Sequence, residues 1–144
     1  MVDIFYKLGA DVNAFTSFDR TAYYFSCTDH FNECLELLLD FPTSFTMSKE
    51  AVENEKDIIV SELLMYKDDP DEKLFKGLLS CLYKDHPIIQ DVGGEVEEVR
   101  ATTYDLLKLV HNSFYSSNNM VLVICGDVDV EETLKIVKSK EFVN

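Results

Sequence analysis

The sequence predicts an α+β domain with a mainly antiparallel sheet and helices packed on one face of that sheet. The first observation behind this fold class is a pair of stretches, residues 12–18 and 21–28, that are rich in aromatic and β-branched residues and flank a short polar turn. The second is a series of amphipathic segments with clear helix-start signals. The third is one late, continuous apolar run at residues 120–125, which predicts a buried central strand. The predicted order is β-β-α-α-α-α-β-α.

The first part of the chain gives a helix end, a hairpin and a helix. Residues 2–8 read as the end of a helix that Gly9 closes. Because the chain opens inside a helix, we expect it to be a fragment of a longer protein. After the hairpin, residues 28–29 can cap a helix that Pro42 ends.

The remaining helices have local start signals. Ser48 is a good N-cap for a helix that reaches Tyr66. Asp69 followed by Pro70 starts the next helix, which stops before Pro87. Residues 88–94 form a predicted loop, and the last two helices are predicted to start at Thr102 or Thr103 and at residues 129–132.

Composition limits the class of protein. The chain has 144 residues, enough for one domain with a core, and carries a net charge of −14. That charge argues against a nucleic-acid or anionic-membrane surface. No signal peptide or membrane-length apolar run is visible, and four cysteines without a C-x-x-C pair suggest reduced thiols. We therefore predict a cytoplasmic protein without a nucleic-acid or membrane partner.

The helix that starts at Ser48 carries an unusual pair of acidic residues. Glu55 and Glu62 are seven positions apart, so they lie on the same side of the helix to within about 20°. The same arc holds Ile58 and Leu63. A carboxylate removed from water needs a cationic partner, which can be a metal, an arginine or a ligand. An ordinary reading also stands, in which each glutamate lies at the edge of an apolar stripe with its carboxylate in water.

No complete catalytic or metal motif accompanies this pair. The three histidines, His30, His86 and His111, form neither H-x-x-H nor H-x-x-E-H. There is no G-x-S-x-G, Walker loop or dinucleotide fingerprint. The only arginines are Arg20 and Arg100, so an arginine partner for the glutamate pair would be one of these two.

Four separated motifs resemble one known family. They are LGADVNAFTSFDRTAYYFSC, VENEKDIIVSELLMYKDDP, an HP followed by glycine, and NNMVLVICGDVD. Together, in this order, they resemble the pitrilysin/insulinase family of zinc metallopeptidases, the inverted zincins with the signature H-x-x-E-H. The likeness covers most of the chain and is nearest to the bacterial processing-protease-like branch. It implies that residues 1–144 are part of an N-terminal, catalytic-type peptidase domain.

The resemblance implies roles for particular residues. Glu62 would be the protein carboxylate ligand of zinc, and Glu55 a supporting carboxylate near the site. Both carboxylates are expected to face one cleft beside a substrate-binding strand. In the family this strand aligns the peptide substrate by backbone pairing, a role that the resemblance gives here to Asn13, Ala14, Phe15 and Thr16. A zinc-activated water would then hydrolyse the peptide bond.

Compared with the family pattern, we expect this chain to lack the H-x-x-E-H helix, the first strands of the domain and the second half that usually closes the peptide chamber. Only 61 residues precede Glu62, and no H-x-x-E-H occurs among them, so both histidine ligands and the catalytic glutamate are absent. We therefore expect part of a zinc endopeptidase that is inactive alone. The alternative is a non-catalytic, peptidase-like subunit that forms a peptide-holding chamber with an active partner.

The expected partners follow from this reading. They are a peptide substrate bound by strand addition and a second peptidase-like domain or subunit. An exposed sheet edge additionally predicts self-association.

Overall fold

The structure is a computed structural model that describes residues 2–140. Within this range the α+β class is confirmed, with seven α-helices and one two-stranded antiparallel sheet. Two short 3-10 turns lie at Pro87–Ile89 and Ser117–Asn119. The main elements are α1 Val2–Lys7, β1 Asp11–Thr16, β2 Thr21–Ser26, α2 Phe31–Thr43, α3 Lys49–Asp68, α4 Pro70–Leu82, α5 Val96–Ala101, α6 Tyr104–Phe114 and α7 Val130–Ser139.

The chain forms two compact units. The first contains α1, the β1–β2 hairpin, α2, the end of α6 and α7, and comprises residues 2–16, 20–46 and 108–140. The second contains α3, α4, α5 and the start of α6, and comprises residues 17–19 and 47–107.

The core of the first unit lies between α1, the hairpin and α2. Phe5, Ala10 and Cys34 are fully or almost fully buried there, and Phe25 packs against them with its ring centroid 5.8 Å from that of Phe5. Gly9 ends α1 in the left-handed conformation, at a φ of 73°, as the predicted helix end requires. The buried aromatic residues therefore attach the hairpin to its neighbouring helices.

The hairpin has a simple register. Its two strands pair antiparallel from Asp11 opposite Ser26 to Thr16 opposite Thr21. This is the hairpin that the aromatic and β-branched composition predicts, with each strand shorter by one or two residues than its sequence pattern.

Helix starts in the second unit follow the predicted caps. The Ser48 hydroxyl accepts the N–H of Ala51 at 3.0 Å and begins α3. Asp69 accepts the N–H of Asp71 at 2.8 Å and begins α4, with Pro70 in its first turn. The helix α5 was not predicted, because residues 95–101 have a mixed acidic and apolar pattern that reads as loop.

The predicted strand at residues 120–125 is wrong for this chain. The segment belongs to no strand, and Val121 and Val123 are 88% and 81% exposed. A β-strand exists only where a neighbouring strand supplies hydrogen bonds to its backbone. The part of the chain that the structure describes places no strand beside these residues.

Two smaller boundaries also differ from prediction. Pro42 does not end α2 as predicted. It lies in the last turn of the helix, which ends one residue later at Thr43. The N-cap of α2 is His30 in a left-handed conformation, not residues 28–29.

Candidate metal ligands and substrate strand

Helix α3 has a buried side and an exposed side. Val52, Val60 and Leu63 are buried and face the rest of the second unit. Lys56 lies on the same side as these residues, and its ammonium reaches the Glu53 carboxylate at 2.9 Å. The core-facing stripe of α3 is therefore made of aliphatic residues and one well-covered lysine.

Glu55 and Glu62 lie on the exposed side of α3. They share it with apolar residues that are themselves uncovered, such as Ile58, which is 61% exposed, and Met65. The arc around the glutamates contains apolar residues, as the spacing predicts, but Leu63 is buried whereas Ile58 is exposed. Both glutamates are exposed too, so their carboxylates lie in water, as in the ordinary interpretation. Among residues 2–140, neither glutamate side chain forms a hydrogen bond or an ion pair.

The arginine explanation for the glutamate pair is not supported. The Arg100 guanidinium lies 3.4 Å from the Asp57 carboxylate, on a different side of α3. Glu62 has no ion pair with either arginine within the described chain.

The loop at residues 91–94 packs against α3. From the sequence, its glycine pair was interpreted only as a break between helices. Asp91 accepts the N–H of Gly93 at 2.9 Å with one oxygen and bonds Lys76 of α4 with the other. A Cβ added at Gly93 would lie 2.6 Å from Cδ2 of Leu63, the residue that follows Glu62. The loop therefore packs directly against the turn of α3 that carries Glu62, and a Cβ at residue 93 would require the buried Leu63 side chain to shift. In the sequence, only the glycine pair at residues 93–94 could have indicated this contact, and a glycine pair does not by itself predict close packing against a helix.

The electrostatics of this loop depend on the same aspartate. Partial burial raises the pKa of Asp91, but the hydrogen bonds from Lys76 and from the Gly93 N–H lower it by more, so the net pKa lies below its usual value. The carboxylate therefore stays ionised while it connects the loop to α4.

The predicted substrate strand is β1. Asn13, Ala14, Phe15 and Thr16 are all exposed, and in the described part of the chain β1 pairs only with β2, so its other edge is open. The Asn13 Oδ1 accepts the N–H of Ala14 at 2.8 Å. An open, exposed edge is what strand addition by a peptide requires. Whether a peptide binds there stays a prediction.

No complete metal site is present among residues 2–140. No group of three or more histidine, cysteine, aspartate or glutamate side chains is placed to hold an ion in that range. In the same range, none of the helices combines the length and apolar character needed to cross a bilayer.

Comparison with known proteins decides the family. Residues 1–96 match the sequence model described as "Insulinase (Peptidase family M16)", and residues 101–143 match the model described as "Peptidase M16 inactive domain". This chain belongs to peptidase family M16.

Curated relatives in the M16 family carry the description "uncharacterized zinc protease". One from Bacillus subtilis is 43% identical over 95% of this chain and 32% of its own length. Another from Mycobacterium leprae is 33% identical over 91% of this chain and 30% of its own length. The chain thus spans about a third of the curated relatives that it matches.

Solved structures show the same M16 fold. An M16-like peptidase from Alicyclobacillus acidocaldarius superposes with a TM-score of 0.91 at 40% identity, over 99% of this chain and 35% of that one. A protease from Helicobacter pylori, at 23% identity and a TM-score of 0.86, shares the fold.

Proposed function

We propose that this chain supplies part of the active site of an M16 zinc endopeptidase, with Glu62 as a zinc ligand and Glu55 as a supporting carboxylate. The chain alone is then inactive, because it contributes neither histidine ligands nor a catalytic glutamate. The observation that carries this proposal is the pair of glutamates on one exposed side of α3, which have no hydrogen-bond or ion-pair partner among residues 2–140, in a chain of the M16 family.

The available donors fit zinc only in part. Carboxylate oxygen is an accepted zinc ligand, but closed and catalytic sites use three or four protein donors. Seven residues of helix advance about 10.5 Å along the axis. That separation favours one direct ligand and one nearby supporting carboxylate over two ligands to the same ion.

Each residue then has a distinct task. Glu62 contributes a negatively charged oxygen to the metal, and Glu55 helps to orient the site through its own charge and hydrogen bonds. The open edge of β1 holds an extended peptide by backbone pairing along Asn13–Thr16. Zinc, when bound, supplies a Lewis acid that activates water for attack on the peptide carbonyl.

The test uses a full-length chimera in which this chain replaces the matching third of the Bacillus subtilis relative. Zinc content and hydrolysis of an unstructured peptide are measured for the unsubstituted chimera and for Glu62→Gln, Glu55→Gln and Glu50→Gln. Glu50 is an exposed glutamate in the first turn of the same helix and serves as the matched control.

We expect Glu62→Gln to lose stoichiometric zinc and activity. Glu55→Gln should weaken zinc binding about 10–100-fold, the usual effect of removing a supporting group, and Glu50→Gln should change neither property. Full zinc content in Glu62→Gln, with unchanged helix content by circular dichroism, would refute the assignment of the ligand.

A second candidate is the non-catalytic, peptidase-like subunit. The match of residues 101–143 to a model described as an inactive M16 domain favours it. This candidate predicts that the chimera binds peptide along β1 but contains no zinc whichever glutamate is present.

A further inference from the structure

A cluster of aromatic side chains packs against the inner face of the β1–β2 hairpin. The ring of Tyr23 in β2 contacts Phe41 of α2 edge to face, with centroids 5.5 Å apart, and it contacts Tyr115, the residue after α6, at 6.2 Å. The hydroxyls of Tyr23 and Tyr115 also form a hydrogen bond of 3.0 Å. All three residues belong to the first unit. Tyr23 is therefore held by two ring contacts and by one directional bond.

Tyr115 is held in turn by His111. The imidazole stacks on the Tyr115 ring, with centroids 4.8 Å and planes 10° apart, and its Nε2 lies 2.7 Å from the carbonyl oxygen of Pro42 in α2. Because a carbonyl oxygen can only accept, Nε2 carries the hydrogen and donates it. The other ring nitrogen, Nδ1, is buried and has no hydrogen-bond partner among residues 2–140. The bond to Pro42 and the stack on Tyr115 thus set the orientation of the imidazole.

The register of the hairpin connects this cluster to the predicted substrate strand. Tyr23 pairs with Ala14, which lies within the segment Asn13–Thr16. Paired strands are joined by backbone hydrogen bonds, so the position of Tyr23 in β2 sets that of Ala14 in β1. Only three side chains, those of Tyr23, Tyr115 and His111, separate the predicted peptide-binding edge from the end of α2.

The segment Asn13–Thr16 receives its position through β2. Its side chains are all exposed, so they do not attach it to the core. The preceding pair, Val12 and Phe25, packs against the core of the first unit. At the other end of β2, Thr21 is exposed. Between these ends, Tyr23 is the residue of β2 that contacts the helical side of the hairpin, so it anchors the half that carries the predicted peptide-binding segment.

The bond between the two tyrosines joins neutral groups. Partial burial, and after it the hydrogen bond to Tyr115, raise the pKa of Tyr23 above its usual value of 10.0. The Tyr23 hydroxyl therefore stays protonated at neutral pH. Phenylalanine at either position removes the bond, keeps the ring and changes no charge.

We propose that Tyr115 is a positioning residue for peptide binding, which holds Tyr23 through its hydroxyl and thereby holds the edge of β1 at Asn13–Thr16 in the geometry that an added strand requires. This inference rests on the proposed function, in which β1 binds the peptide. An edge that is fixed before binding loses less conformational entropy when the peptide pairs with it. The role concerns peptide binding and not the metal, because Glu62 lies on α3 in the second unit.

The experiment compares peptide affinity with stability in the same full-length chimera. The variants are Tyr115→Phe, Tyr23→Phe, the double variant with both changes, and Tyr6→Phe. Tyr6 is an exposed tyrosine of α1 and serves as the matched control. Fluorescence anisotropy gives the Kd of a fluorescein-labelled unstructured peptide for the zinc-free chimera. Circular dichroism gives the melting temperature, and steady-state hydrolysis by the zinc-loaded chimera gives KM and kcat.

Affinity and stability should respond differently. Each single variant leaves one partly buried hydroxyl without its partner and should lower the melting temperature, whereas the double variant removes both hydroxyls and should recover most of that loss. Affinity should not recover, because all three variants lack the bond. We expect each of them to bind the peptide about fivefold more weakly, the factor that corresponds to the net contribution of one hydrogen bond. KM should rise by the same factor, while kcat stays within about twofold of the parent value.

Several results would overturn the inference. One is a double variant that recovers peptide affinity together with its melting temperature, because affinity would then only follow stability. Others are a parent-like Kd in Tyr115→Phe and an equal loss of affinity in Tyr6→Phe. If the unsubstituted chimera binds no peptide, the proposal that β1 binds peptide fails and this inference fails with it. Peptide binding that none of the variants weakens overturns this inference alone.

Discussion

The loop at residues 91–94 allows a sharp test of how α3 is held. Asp91 uses one carboxylate oxygen for the Gly93 N–H, at 2.9 Å, and the other for the Lys76 ammonium. Asp91→Ala removes both bonds. Asp91→Asn keeps an acceptor for the Gly93 N–H and removes only the charge. The two variants therefore separate the hydrogen bond from the ion pair.

The expected losses follow from the burial of each partner. A hydrogen bond of this kind contributes about 1 kcal/mol. The ion pair contributes about 0.5 kcal/mol, because Lys76 is 39% exposed and solvent screens its charge. We thus expect Asp91→Ala to lower the free energy of unfolding by about 1.5 kcal/mol and Asp91→Asn by about 0.5 kcal/mol.

The pH dependence of this effect has a defined sign. Because the folded-state pKa of Asp91 is lowered, its ionised form stabilises the fold above the usual value of 3.8. That contribution is lost as the pH falls through the lower, folded-state pKa. The difference between the parent chain and Asp91→Asn should therefore be full near pH 7 and vanish in strong acid.

Urea denaturation followed by circular dichroism gives these free energies, and hydrogen exchange of α3 and α4 shows where the loss occurs. Equal losses for the alanine and asparagine variants would show that the Gly93 hydrogen bond contributes nothing. A loss confined to segments outside the second unit would refute the proposed role of the loop.

Three further predictions concern single sites. Gly93→Ala should destabilise the second unit by about 1 kcal/mol in urea denaturation, because overpacking against Leu63 outweighs the reduced entropy of the unfolded chain. Gly77→Ala, in the middle of α4 with no atom near the new methyl group, should instead stabilise by about 1 kcal/mol, and a shared sign for the two variants would refute the packing argument. The pKa of His30 is raised, first by its hydrogen bond to Glu33, so Glu33→Gln should lower it in an NMR titration, and an unchanged midpoint would contradict the contact. Any stability from this pair is present at low pH and lost as the pH rises through the pKa of folded His30.

The candidate site shows where sequence reasoning succeeded and where it stopped. The seven-residue spacing of Glu55 and Glu62 was enough to place both on one side of α3, because helix geometry is local. The spacing did not decide whether that side is covered. Burial depends on which other elements pack there, and the structure leaves Ile58 beside them largely exposed.

Local chemistry determined the fold class, the hairpin and most helix starts of this protein. Ser48, Asp69 and Asp129 each cap a helix, because the side-chain oxygen accepts a hydrogen bond from a backbone N–H two or three residues later. These contacts join residues that are close in sequence, so the sequence itself indicates them. The apolar run at residues 120–125 predicts a strand equally well, yet pairing needs a neighbour that is distant in sequence. Only the tertiary structure could show that β2 and this run line the same groove, and that Gly93 packs against Leu63. Both facts depend on contacts between segments that no local pattern encodes.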